Sequence, residues 1–131
     1  MLRKEGLGLE TERVGEAVID ASIKVHKVFG PGLLETIYEA SLERELTLRG
    51  LRVARQVQVP VSYEGVDLGL GFRVDLKVED CVVVEVKAVE TLLSVHEAQV
   101  LTYLKLTGLR LGFLLNFNVP AMKAGIRRLV R

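Results

Sequence analysis

Val14, Ala17, Val18, Ala21, Val25 and Val28 recur at the spacing of one helix face, with Arg13, Glu16, Asp20, Lys24 and Lys27 turned the other way. This pattern predicts an amphipathic helix packed on a core. Gly30-Pro31-Gly32 interrupts it, because proline has no amide to donate and the glycines permit a sharp change of direction. A second helix is expected from about Leu33 to Arg49, with Gly50 as a left-handed cap. From Leu51 the period changes to two. The Val-rich stretch to Val61, the turn Tyr63-Glu64-Gly65-Val66 and a short extended segment after it predict a hairpin. Phe72, Val74, Leu76 and Val78, then Val82, Val84 and Val86, alternate with polar positions and predict two successive central strands. Ser94-Val95-His96-Glu97 has the form of a capping box, so a helix is expected from Ser94 to Gly108. Leu109 to Phe117 reads as a buried strand, Pro120 to Gly125 as a helical turn, and Ile126 to Val130 as a last short strand. The order α, α, several β, α, β, without linker or repeat, predicts a three-layer α/β domain with a mixed central sheet.

Strand register carries the chemistry, because a slip of one residue turns every side chain to the opposite face. A two-residue turn at Glu79-Asp80 sets Val74 opposite Glu85 and mixes a carboxylate into the apolar face. A three-residue loop, Glu79-Asp80-Cys81, sets Val78 opposite Val82, Leu76 opposite Val84 and Val74 opposite Val86, giving one uniformly apolar face. The other face then holds Asp75 directly opposite Glu85, with Lys87 two residues further on. Like charges so placed destabilise a strand pair, so something must compensate. A hard divalent cation such as Mg²⁺ would do so, leaving Lys87 to hold an attacking water and stabilise charge developing on phosphorus. A salt-bridged cluster in which Lys87 and Lys77 neutralise the two carboxylates accounts for the spacing equally well.

Composition limits the setting of this chemistry. With 131 residues there is room for one hydrophobic core, so residues 1–131 are expected to form a single domain. Eighteen Lys+Arg against seventeen Asp+Glu leave a net charge of +1, too little to draw in a polyanion at long range. Binding to nucleic acid would need a local basic patch or a bound cation. A lone Cys81, no apolar run near the roughly 18 residues of a membrane span, and no secretory pattern at the start lead to an expected cytoplasmic location away from membranes.

The run Asp75-(x)9-Glu85-Val86-Lys87 resembles the D-(x)n-E-x-K signature of the PD-(D/E)XK nuclease superfamily. Gly32-Leu33-Leu34-Glu35-Thr36-Ile37-Tyr38 is similar to a G-x-x-E-x-x-Y motif, and Gln99-Val100-Leu101-Thr102-Tyr103 to the Q-x-x-x-Y motif of RecB-like nucleases. With Val25-His26 and Leu114-Leu115-Asn116-Phe117, these motifs resemble the small bacterial and archaeal GxxExxY proteins over most of the chain. The resemblance implies a restriction-endonuclease-like core, α-β-β-β-α-β, and Mg²⁺- or Mn²⁺-dependent hydrolysis of phosphodiester bonds, in DNA ahead of RNA. It makes Asp75 and Glu85 metal ligands, Lys87 the catalytic lysine, and Glu35 a further acidic group acting through a metal-bound water. It assigns Gln99 and Tyr103 to orienting the site or meeting the nucleic-acid backbone. A homodimer is one way for so small a domain to reach both strands. The alternative is a catalytically inactive nuclease fold that binds nucleic acid or a protein partner. Two positions depart from the pattern: Val74 stands where the superfamily name has proline, and Asn118 follows Phe117 where glycine is expected.

Other polar residues have simpler explanations. Glu97 is expected to complete the capping box, His26 to be structural, Tyr38 to lie in the core or at its rim, and Arg127 and Arg128 to be solvated on opposite strand faces. His96 shares a helical face with Gln99, but neither histidine is assigned to catalysis.

Overall fold

The computed structural model describes residues 6–131. Helix α1, Leu9–Phe29, buries Val14, Val18, Ala21 and Val25 of the stripe that its periodicity defines, but Val28, in the last turn before Gly30 ends the helix, is 67% exposed. It ends at Gly30, whose amide donates to the His26 carbonyl. Helix α2, Glu35–Leu48, buries Tyr38, Leu42 and Leu46. Then come β1 (Val53–Tyr63), β2 (Val66–Val78), β3 (Val82–Lys87), α3 (Ser94–Thr107), β4 (Leu111–Asn116), a single 3-10 turn (Met122–Gly125) and β5 (Ile126–Val130). The segment expected as a short piece before Phe72 is one strand with it, running without a break from Val66.

The sheet has the order β1-β2-β3-β4-β5. Only β3 and β4 are parallel, and α3 supplies the crossover that parallel neighbours require. Helices α1 and α2 pack on one face through Leu76, Val78, Val82, Val84, Val86, Phe113 and Leu115, and α3 covers the other through Tyr103 and Leu104. This is the expected three-layer α/β arrangement with a mixed sheet. Gly112 in β4 allows the close approach of α3, since a Cβ there would lie 2.8 Å from Val100 Cγ1. Among the described residues, no helix is long and apolar enough to cross a membrane.

The β2–β3 register is the one with a three-residue loop: Val78 pairs with Val82, Lys77 with Val83 and Leu76 with Val84. Val74 departs from expectation. It packs with Val83, Tyr103 and Leu104 on the α3 side, whereas Leu76 and Val78 face α1 and α2. The cause lies at Gln56 and Asp75. Val53 pairs with Val78 and Val57 with Val74, yet the intervening Gln56–Asp75 pair is missing from the ladder, and Gln56 is left-handed at φ 56°. A backbone in that region breaks the pleat, so side chains change face across it without a change of register.

The capping box also differs. Leu93 holds the N-cap position, and no side-chain cap comes from Ser94. The His96 Nδ1 accepts the Leu93 amide at 3.0 Å, while Glu97 reaches across to Arg127 at 3.4 Å. The last strand therefore carries ion pairs rather than free cations, Arg128 meeting Glu12 at 3.0 Å. A ring nitrogen can accept the N-cap amide as a Glu carboxylate would, which frees Glu97 for the salt bridge.

Candidate active site

Asp75 sits where β2 leaves both of its ladders, since neither Gln56 nor Glu85 pairs with it through the backbone. The two carboxylates replace the missing bonds in a crossed arrangement. Asp75 Oδ2 accepts the Val86 amide at 2.9 Å, and Glu85 Oε1 accepts the Asp75 amide at 3.0 Å. The two carboxylates therefore bridge the opened seam between β2 and β3. Glu85 is only 5% exposed. Burial, reinforced by the Asp75 charge, pushes its carboxyl up to about 7. Burial also raises Asp75, against the opposing pull of the Val86 amide.

Lys87 follows two residues after Glu85 on β3, and its charge favours the ionised form of both carboxylates, against the upward push of burial. Among the described residues its ammonium makes no hydrogen bond or ion pair. Lys77 turns to Asp80 at 3.5 Å, so the two-lysine salt-bridge cluster does not form. The backbone around Lys87 is held firmly. Its carbonyl accepts the Phe117 amide at 2.9 Å, and the Asn116 side chain straps Val89 through both its amide and its carbonyl, at 3.0 and 2.9 Å. The Asn118 amide donates to the same Asn116 Oδ1 at 3.2 Å, so the loop that lacks the expected glycine joins this strap.

Glu35 is the first residue of α2, and its Oε2 accepts the Ala88 amide at 3.3 Å, next to Lys87. It lines a shallow cleft with Leu33, Leu34, Thr36 and Ala88. Gln99 and Tyr103 share a different cleft of about 480 Å³ with Lys87, His96 and Thr102. Tyr103 stacks on Phe72 with ring centroids 4.3 Å apart, and burial with the nearby Glu85 and Asp75 charges raises its hydroxyl. Tyr38 is structural: its hydroxyl donates to the Gly30 carbonyl at 2.5 Å and its ring stacks on Phe117. His26 is structural as well, its Nε2 bonded to the Val119 carbonyl at 2.7 Å.

Sequence reasoning missed Glu39. It lies one turn beyond Glu35 on α2, is 4% exposed, and its Oε2 accepts Arg55 Nε at 2.6 Å and Gln56 Nε2 at 2.8 Å. Its charge bears on both Asp75 and Glu85. The four-residue interval from Glu35 was the available signal, since it puts both carboxylates on one helix face.

A family model described as the PD-(D/E)XK nuclease superfamily matches residues 12–129. The chain belongs to the PD-(D/E)XK nuclease superfamily. Searches of curated proteins and of solved structures returned no match. Nucleases of this superfamily generally use divalent metal ions, and the donor set can be tested against that. Among the described residues, no three His, Cys, Asp or Glu side chains form a group that could hold an ion. A structural zinc site is thereby disfavoured, because it needs a closed set of four protein ligands. Two hard carboxylates fit Mg²⁺, which binds through one or two carboxylates and keeps water and phosphate oxygens for its other positions. In this nuclease fold each carboxylate spends one oxygen on a backbone amide; of the other two, Asp75 Oδ1 accepts a long 3.5 Å bond from Gln56 Nε2, and Glu85 Oε2 and Asp75 Oδ1 are the atoms that would face a cation.

Proposed function

We propose that the chain is a divalent-metal-dependent nuclease that hydrolyses phosphodiester bonds in DNA or RNA, with Mg²⁺ or Mn²⁺ as the cofactor. The observation that carries this reading is the pairing of half-buried Asp75 with buried Glu85, in which burial first and the Asp75 charge second raise Glu85 to about 7, and which has no neutralising lysine in contact. Evolving two adjacent carboxylates costs stability unless a cation occupies them. Asp75 and Glu85 would hold the ion, which supplies Lewis acidity at the phosphoryl oxygen and lowers the pKa of a bound water. Lys87 stabilises the charge that builds on the phosphoryl oxygens and orients the attacking water. Glu35, tied to the Ala88 amide, holds water beside it. Gln99 and Tyr103 steady the substrate in the cleft that they share with Lys87. A catalytically inactive module that binds nucleic acid or a protein is the rival reading, favoured by the net charge of +1.

Incubation with single- and double-stranded DNA and RNA, in Mg²⁺, Mn²⁺ or EDTA, separates the two. Cleavage should stop in EDTA. Lys87→Ala should lower turnover by a factor on the order of 100 while leaving metal binding intact, because the ammonium is not a ligand. Glu35→Ala should weaken both metal binding and turnover. Metal-independent binding without cleavage of any substrate would select the inactive module.

A further inference from the structure

The cleft beside Lys87 contains a donor that the catalytic set does not use. His96 lies in the first turn of α3 and lines this cleft with Lys87, Gln99, Thr102 and Tyr103. Its Nδ1 accepts the Leu93 amide at 3.0 Å. A ring nitrogen that accepts from an N–H carries no proton, so the neutral ring holds its proton on Nε2. That Nε2–H has no protein partner among the described residues, and Glu97, the nearest acid in the chain, is engaged by Arg127. The cleft is thus lined by a fixed Nε2–H donor from α3 and the unpaired Lys87 ammonium from β3, together with Thr102 and Gln99. Such a set suits a ligand with several acceptor oxygens and negative charge, which describes a phosphodiester group.

We propose that His96 is a substrate-binding residue that donates from Nε2 to a non-bridging oxygen of a backbone phosphodiester group lying in the cleft alongside Lys87. The proposal rests on the nuclease reading. The bond between Leu93 and Nδ1 serves two purposes: it caps α3, and it fixes the tautomer so that the donor points away from the cap. His96 therefore acts on substrate affinity rather than on bond cleavage, and its loss should appear in KM more than in kcat.

Three variants separate the cap from the donor. His96→Glu keeps an acceptor for the Leu93 amide, in the manner of a capping box, but replaces the donor with a negative charge, so its loss of affinity counts only where His96→Ala shows the same loss. His96→Gln keeps both an acceptor and a donor. His96→Ala keeps neither. A fluorescent single-stranded DNA oligonucleotide serves as the probe, with KM and kcat measured in Mg²⁺ and equilibrium binding measured in EDTA, alongside melting temperature. The expected result is a KM about tenfold higher for His96→Glu and His96→Ala, near-normal kcat, and a His96→Gln variant close to wild type. His96→Glu should melt like wild type. Recovery of affinity in His96→Glu along with thermal stability would reduce His96 to a cap and overturn the proposal. If the wild type cuts nothing but binding is lost in His96→Glu and His96→Ala and kept in His96→Gln, the contact stands and the nuclease reading falls. A wild type that neither cuts nor binds overturns both.

Discussion

Glu85 gives the residue scale its clearest test, because its carboxyl is raised from an ordinary 4.5 to about 7 by burial and by the charge of Asp75. A group whose pKa is higher in the folded than in the unfolded state binds its proton more tightly on folding. Its contribution to stability is therefore complete below the unfolded value and is lost as pH rises through about 7. Glu85→Gln cannot titrate but keeps an acceptor for the Asp75 amide. In EDTA, the stability of Glu85→Gln relative to wild type should rise between pH 4.5 and 7 by on the order of 3 kcal/mol, then level off. Urea unfolding at a series of pH values measures this difference. A difference that stays constant with pH would show that Glu85 titrates normally. The meeting of Asp75 and Glu85 across β2 and β3 was legible in the sequence because only one loop length kept a carboxylate out of the apolar face. Glu39 was not, because a buried acid on an amphipathic helix looks like a solvated one until its partners Arg55 and Gln56 are located.

At the scale of elements, the helices and the β2–β3 loop followed from periodicity, whereas the face change at Val74 did not. Two local irregularities hid it. Counting back from the Glu64-Gly65 turn pairs Ser62 with Asp67, but beyond the irregularity Pro60 pairs with Gly71, so the register shifts by two before Asp75 is reached. Counting from the turn would have put Ala54, not Gln56, opposite Asp75. Nor does glutamine announce a left-handed backbone, which a glycine or asparagine would have signalled. This conformation is testable. Gln56→Gly and Gln56→Val both lose the hydrogen bond to Glu39, but only valine meets steric conflict at φ 56°. The glycine variant should be about 1–2 kcal/mol more stable than the valine variant in urea unfolding. The reverse order would mean a regular strand at Gln56 and would return Val74 to the face of Leu76. At the N-terminus of α3 the sequence signalled a helix start correctly but not the atoms that cap it, since the N-cap falls one residue earlier, at Leu93, which puts His96 rather than Glu97 at the third helical position, and Glu97 pairs with Arg127.

For the whole molecule, stability and function pull against each other at the opened seam between β2 and β3. Two sheet faces buried by three helices hold Asp75 and Glu85 together, although each would be more comfortable alone. We propose that residues 1–131 act as one cooperative domain, so a ligand bound at the seam stabilises the entire fold. Mg²⁺ or Mn²⁺ at a hundredfold excess over its Kd should add about 2.7 kcal/mol and raise the melting temperature by several degrees, in a single transition. Asp75→Asn should respond differently at both ends of the comparison. In EDTA it should melt above wild type, because a neutral side chain still accepts the Val86 amide but no longer repels Glu85. In Mg²⁺ it should show little of the wild-type rise, having lost a ligand charge. Calorimetry of both proteins with and without the ion reads all four values. A wild-type melting temperature indifferent to millimolar metal, or an Asp75→Asn variant that responds as fully as wild type, would mean that the paired carboxylates are not a cation site. The crossed backbone bonds of Asp75 and Glu85 would then be the whole of their role.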